Sequence, residues 1–574
     1  MLQRSLLVVA LLLTSAAGAQ ERIALVGATI IDGSGGTPIT DGVIVLRGDR
    51  IEAIGARAST PVPSDALIES VSGRWITPGL IDAHVHFFQS GGLYTRPDGF
   101  DLRAVRPYLD DLNWSKANLD VTFARYLASG ITTVVDAGGP LWNFEVRDRA
   151  NASDRAPHVA VAGPLIATEP PGTEALNESG DPPIFHAATR EAAREMTRGL
   201  LARRPDFIKI WGIGSGPEGA ARVRDITAAV AETAHPAGVR VAVHATDLVI
   251  ARAAVEGGAD ILVHSVFDAA VDRAFIDAVR ERNVTYVTTI VVLEGYDEVL
   301  SGDPNLLTIE QTLGDPDVIA SLYEAPPSLR SSGATRTAAR EVRRGQDNAV
   351  ALVRGGARVA AGTDAGNPGT LHGPSLHHEL RLLVAGGFTP MEAIVAATRD
   401  AAFAYAPEPD VGVLRPGAAA DLLVLRADPL VDIGNLTQIE RVYARGNGYD
   451  PESLVVPTPA AVVQRQVEAY NAHDVERFVA TYAEDAEIFN SPGAVTPRLS
   501  GREFIRADYS ALFGEFPSAH CVVVNRALEG AYVFDQEMCT FAPDGPPLRA
   551  TSIYLVEGAL IKRVWFASAN QPSP

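Results

Sequence analysis

The sequence predicts an α/β fold: a (β/α)8 TIM barrel flanked on both sides by strands of one β-sandwich, with a smaller α+β unit at the C-terminus. Three observations predict it. Eight apolar strand candidates alternate with helix-like segments between residues 80 and 362. β-rich text precedes that region and returns after it. Beyond a proline-rich stretch, two helices lead into an antiparallel meander.

Residues 1–19 read as a secretory signal peptide. Arg4 precedes an apolar run from Ser5 to Ser15, and Ala17-Gly18-Ala19 fits a small-residue cleavage site. The mature chain is therefore expected to start at Gln20, in the periplasm or outside the cell. No later stretch has transmembrane length, so no membrane partner is expected after cleavage. The 574 residues are 47% hydrophobic and carry a formal charge of −21 without a long basic run. That is ample for two or three cores, and the acidic field disfavours a nucleic-acid partner.

Residues 20–76 and 407–450 share one texture. Ile23 to Ile31, Gly42 to Arg47 and Arg50 to Ile54 are β-rich and separated by Gly, Asp and Pro turns. Ala420–Leu425 and Ile439–Ala444 have the length to complete the same unit, making it a composite of both flanks.

Residues 77–406 carry the barrel pattern. The strand candidates are Leu80–Phe87, Ile131–Ala137, His158–Ala162, Phe207–Trp211, Val239–His244, Ile261–Val266, Tyr286–Val292 and Ala357–Gly362. Helix-like segments such as Ala188–Arg203, Arg222–Ala234, Leu248–Glu256, Ala270–Arg282 and Ala338–Arg354 lie between them. An open doubly wound sheet would lead its first strand into a glycine-rich phosphate turn. Here that strand ends in His-Val-His-Phe, which favours the barrel.

Residues 451–457 form a linker, and 458–574 a separate module. Its helices at Ala460–Tyr470 and Val475–Tyr482 come before strands at His520–Arg526, Ala531–Thr540, Ala550–Val556 and Leu560–Phe566. The two cysteines, Cys521 and Cys539, flank a turn at Glu529-Gly530, so paired strands could bring them together. Sequence does not supply the Cα separation that decides bonding.

In a barrel of this kind the chemistry sits at the C-terminal ends of the strands. His84 and His86 close the first strand, and positions two apart share one face of a strand. Alone, such a pair is more often just a half-exposed strand. Lys209 lies on the fourth strand, His244 and His264 end the fifth and sixth, and Asp364 follows the eighth. Four imidazoles and a carboxylate suit zinc or a similar first-row ion. The lysine fits such a site only as a neutral amine able to form a carbamate, a form its apolar neighbours Ile208 and Ile210 help to favour.

Pro78-Gly79-Leu80-Ile81-Asp82-Ala83-His84-Val85-His86, with His244, His264 and Asp364, resembles the amidohydrolase superfamily over roughly Arg22 to Asp450. His372-Gly373-Pro374-Ser375-Leu376-His377-His378-Glu379-Leu380 resembles the branch of imidazolonepropionase-like and prolidase-like enzymes. The resemblance implies that His84, His86 and Asp364 hold one metal and His244 and His264 a second, with a carboxylated Lys209 bridging them. One ion or two remains open. It further implies hydrolysis of a C–N bond in a small amide, lactam or dipeptide-like substrate by metal-activated hydroxide, with Asp364 as general base. A metal-dependent esterase or lactonase is the nearest alternative. Tyr94 and Tyr296, on long loops, and His372 are candidate substrate contacts.

Ala469-Tyr470-Asn471-Ala472-His473-Asp474-Val475, followed by Tyr482-Ala483-Glu484-Asp485-Ala486, resembles the opening of an NTF2-like, SnoaL-type cone. This implies an accessory for dimerisation or ligand binding, and a homo-oligomer is expected. A non-catalytic protein that binds a small ligand through that module is the alternative of another class.

Overall fold

The computed structural model describes residues 22–170, 172–329, 334–542 and 546–568. The expected signal peptide lies outside the described residues. Among the described residues, no helix is long and apolar enough to cross a membrane.

Strands from both flanks hydrogen-bond into one eight-stranded sheet, as their shared texture predicts. Arg22–Ile30 pairs antiparallel with Ile39–Arg47, which pairs with Arg50–Ala56. Trp75–Pro78 pairs antiparallel with Leu422–Leu425, which continues to Ile439–Ala444. Leu25, Ile44, Ile76, Leu422 and Val424 fill one core beneath this sheet, and the apolar alternation along each strand aims them there.

The central region holds two parallel sheets. One joins Leu80–Val85, Ile131–Asp136 and His158–Val161. The other has seven strands and includes Phe207–Trp211, Arg240–His244, Ile261–Val263, Thr285–Thr288 and Arg358–Ala361, in that spatial order. After Arg358–Ala361 the chain runs beside the first strand. The Asp364 N–H donates to the His84 carbonyl at 2.8 Å, and Val85 bridges Ala365 in parallel. One apolar cluster running from Ile31 to Val442 packs these strands against the surrounding helices, and a second gathers Ile81, Val135, Phe207, Ala242, Val263 and Val287.

One boundary differs from expectation for an identifiable physical reason. The strand expected at Tyr286–Val292 ends at Thr288, and the helix Val291–Ser301 begins in the same β-branched run. The Glu379 carboxylate, on the helix Ser375–Gly386, accepts the Val291 N–H at 2.8 Å and so satisfies that helix start from a distance. The chain after His158–Val161 also adds the short strands Leu165–Ala167 and Ile184–His186.

The C-terminal segment places helices Pro459–Asn471, Val475–Ala480 and Arg502–Glu515 against a six-stranded sheet. Its four long antiparallel or edge strands, from His520–Glu529 to Leu560–Ser568, follow the expected meander. Cys521 and Cys539 face each other across two of them, with Cα atoms 4.0 Å apart, and are joined as a disulfide. The segment docks through Thr458. Its hydroxyl caps the helix Pro459–Asn471 and also reaches the carbonyls of Gln311 and Thr312 at 3.3 and 3.1 Å.

Candidate metal centre

His84 ends an apolar strand and is fully buried, with 0% exposure. Burial, followed by the nearby Lys209 charge, lowers its pKa to about 3, so the ring is neutral with a lone pair to offer. His86 lies just past the same strand. Its Nδ1–H donates to the Gly138 carbonyl at 2.6 Å, which fixes the tautomer and turns Nε2 inward as an acceptor. The two Nε2 atoms are 3.2 Å apart, and Asp364 Oδ1 lies 3.3 Å from the first and 3.1 Å from the second. Ligand atoms ~2.0–2.1 Å from a tetrahedral zinc are separated by about 3.3 Å. The triangle has those sides.

Three further observations fit a cation there. Asp364 Oδ1 is buried without a hydrogen-bond partner, although donors usually reach such an oxygen. Burial alone would raise the Asp364 carboxyl, but His84 and His86 hold it well below the ordinary carboxylate range. Asp364 and His264 also have positive φ angles, 63° and 74°, in the left-handed region that non-glycine residues avoid. Such conformations cost roughly 1–3 kcal/mol each and cluster where side-chain direction matters more than backbone comfort.

The other candidates gather less tightly. His264 Nδ1 is 3.9 Å from Asp364 Oδ2 and hydrogen-bonded to the Thr289 hydroxyl at 2.8 Å. The His244 ring packs on His264 with centroids 4.4 Å apart, and burial lowers its pKa to about 3. Lys209 is 1% exposed, on the strand paired with that of His244. Burial brings its pKa down to about 7, opposed by the charges of Asp364 and Asp136. Only His84, His86 and Asp364 form a compact ligand set here among the described residues.

Of the three residues read as substrate contacts, Tyr296 is linked to the centre through Asn367. Its hydroxyl donates to Asn367 Oδ1 at 2.8 Å, and Asn367 Nδ2 donates to the Asp364 carbonyl at 3.0 Å. Tyr94 instead donates to Glu324 at 2.7 Å, away from the triangle. His372 donates through Nε2 to the Gln89 carbonyl and accepts from the Tyr126 hydroxyl, both at 2.8 Å. Both of its nitrogens are thereby committed to protein. Sequence reasoning missed Arg96, which binds Asn367 at 2.6 Å and Asp98 through two bonds. A lone arginine in a long loop carries no signal of its own. It also missed Asp82, although that residue lies in the opening motif: Asp82 accepts from the Thr363 hydroxyl at 2.7 Å and backbone N–H at 3.1 Å.

Comparisons with known proteins match both parts of the chain. Residues 463–564 match the model of the SnoaL-like domain. The chain is 27% identical to an imidazolonepropionase of Streptomyces griseus, over 68% of this chain and 88% of that enzyme. It is 28% identical to a dihydroorotase of Anaeromyxobacter dehalogenans, but that match spans only 34% of this chain and 45% of the enzyme. Among solved structures, ochratoxinase of Aspergillus niger superposes with a TM-score of 0.58 at 22% identity, covering 75% of this chain and 96% of that one, a likeness of fold. Residues 75–448 match the model of the amidohydrolase family, which is more than half the chain, and the chain belongs to that family.

Proposed function

We propose that this chain is an exported, metal-dependent hydrolase that cleaves a C–N bond in a small amide, lactam or dipeptide-like substrate. The observation that carries this reading is the triangle of His84 Nε2, His86 Nε2 and Asp364 Oδ1, whose sides are those of a metal's ligand shell. His84, His86 and Asp364 would hold one zinc, and His244 and His264 a second, with Lys209 between them as its Nζ-carbamate. A bound zinc supplies a Lewis acid and an activated water at neutral pH.

The remaining roles belong to side chains. Asp364, kept ionised by its imidazole neighbours, takes the proton of the attacking water and passes it to the leaving nitrogen. Lys209, buried and lowered to about 7, is in part a neutral amine at neutral pH, the form that adds CO2. Tyr296 and Arg96, linked through Asn367, hold the loops beside Asp364, with the Tyr296 hydroxyl donating to Asn367 and accepting from Arg96.

The same reading treats the two parallel sheets as arcs of one barrel over residues 77–406. Residues 20–76 and 407–450 then form its split β unit, residues 458–574 an accessory domain, and 1–19 a cleaved signal. Metal analysis of the purified protein, with a panel of N-acyl amino acids, Xaa-Pro dipeptides, lactams and lactones, tests the function. Bound zinc with amide or lactam turnover is the expected result. Protein without metal or hydrolysis would overturn it, and turnover of lactones alone would move the activity to ester bonds.

A further inference from the structure

We propose that a cavity next to the loop that follows His86 binds a small organic cation bearing an ammonium or guanidinium group. The cavity is about 490 Å³ and is separate from the triangle of metal ligands. Asp110, Asp111, Asp317 and Glu324 line it, with Trp114 and Ser90. Arg106 also lines it, but its guanidinium sits over the Tyr94 ring, 4.9 Å from the centroid. Among the described residues, no ion pair joins any of the four acids to a basic side chain.

Helix geometry explains part of this. Asp110, Asp111 and Asp317 lie in the first turns of Tyr108–Ala117 and Pro316–Leu322, where the helix dipole favours an acid. It does not explain Asp111 Oδ2. Asp111 is 5% exposed, and its Oδ1 accepts from the Ser90 hydroxyl at 2.8 Å. Its Oδ2 is buried and has no hydrogen-bond partner. Burial pushes this carboxyl up, outweighing Ser90, Thr95 and the Arg106 charge, and a further cation placed beside it would bring it down.

The spacing of the acids decides what kind of cation fits. No three of these carboxylates bring oxygens within 4.8 Å of one another among the described residues, so they do not form the cage a bare metal ion needs. Four acids spread around 490 Å³ instead suit a cation with a carbon body, whose charge they share while its stem lies along Trp114. The site also touches the catalytic loops. The Gly91 N–H, next to Ser90, donates to the Gly366 carbonyl at 2.9 Å, two residues past Asp364.

Calorimetric titration of the full-length protein with putrescine tests the proposal. The expected result is saturable binding of one molecule per chain, weakened by salt. Asp111→Asn, which keeps the side-chain shape, should weaken it at least about 10-fold, and Asp317→Asn on the rim by roughly 3-fold. Absence of saturation up to roughly 10 mM putrescine would overturn the proposal, as would equal affinity in wild type and both variants. If Asp111→Asn fails to fold, Asp317→Asn and Glu324→Gln decide by the same criterion. Calcium saturating the site and displacing putrescine would overturn the organic-cation assignment. Because the readout is binding, a failure of the hydrolase reading leaves this result standing, and the converse.

Discussion

Asp82 and Thr363 tie the first parallel strand to the chain that follows the last one: the carboxylate accepts the Thr363 hydroxyl at 2.7 Å and its N–H at 3.1 Å. Asp364 is the next residue. The pair therefore sets where the carboxylate of the candidate centre stands. Asp82→Ala leaves the Thr363 hydroxyl and N–H with only their long bonds to the His84 carbonyl, at 3.4 and 3.3 Å, and should lower stability by roughly 1–2 kcal/mol. Asp82→Asn keeps one acceptor and should lose about half of that. An unchanged melting temperature in the alanine variant would show that the tie contributes nothing.

Asp364→Asn separates positioning from proton transfer. The amide retains an oxygen toward His84 and His86, so folding and metal content should hold. Without a base, turnover of the best panel substrate should fall by about 10³-fold or more. Near-wild-type kcat would remove Asp364 from that role.

Lys209→Ala addresses the number of ions. If Lys209 carries a bridging carbamate, the variant should lose about one metal equivalent per chain by elemental analysis, and propionate should restore part of it. Full metal content in the variant would leave Lys209 as a buried structural residue.

His378 makes a pH prediction whose sign follows from its partners. Glu294 and Glu310 each approach its ring to 3.3 Å. Burial by itself disfavours the imidazolium, but these carboxylates outweigh it and raise the pKa to about 10. The folded protein thus holds a proton that the unfolded chain releases near its ordinary value of 6.5. The stabilisation is complete below about 6.5 and is lost as pH rises toward about 10. His378→Gln should flatten that part of a melting-temperature curve. Parallel curves for the two proteins would refute the assignment.

The Cys521–Cys539 bond closes a loop of 18 positions in the C-terminal module. Loop-closure entropy for that length predicts a loss of about 3 kcal/mol on reduction or in a double serine variant. Calorimetry with and without reductant measures it. An unfolding transition of the module that ignores reductant would contradict the prediction.

What the sequence carried and what it hid have separable causes. The spacing of His84 and His86 is a local, period-two signal, and the strand ends at His244, His264 and Asp364 fall where apolar runs stop, so those residues were legible. Gly138 and Thr289 were not, because each meets its histidine only through tertiary packing. His372 was legible as a polar aromatic after a ligand, but not its two bonds to Gln89 and Tyr126, which leave no nitrogen free. The run Thr288-Thr289-Ile290-Val291-Val292 has strand propensity, yet a carboxylate 88 positions away, on Glu379, starts a helix within it. The cysteine pairing was hidden too: the register of the turn at Gly530 alone would set Cys521 opposite Thr540, and the irregularity between Val523 and Asn525 brings it opposite Cys539.

The composite sheet also constrains how the chain comes into being. Arg74, beside the strand Trp75–Pro78, bonds Glu440, 366 positions later. At typical synthesis rates of 5–20 residues per second, that partner is made roughly 20–70 s after Arg74. During that interval the first strands have edges without their neighbours, open to pairing with other chains. Completing this sheet is a late event of synthesis, so the protein's yield in a cell depends on what shelters its N-terminal strands until the segment around Glu440 has been made.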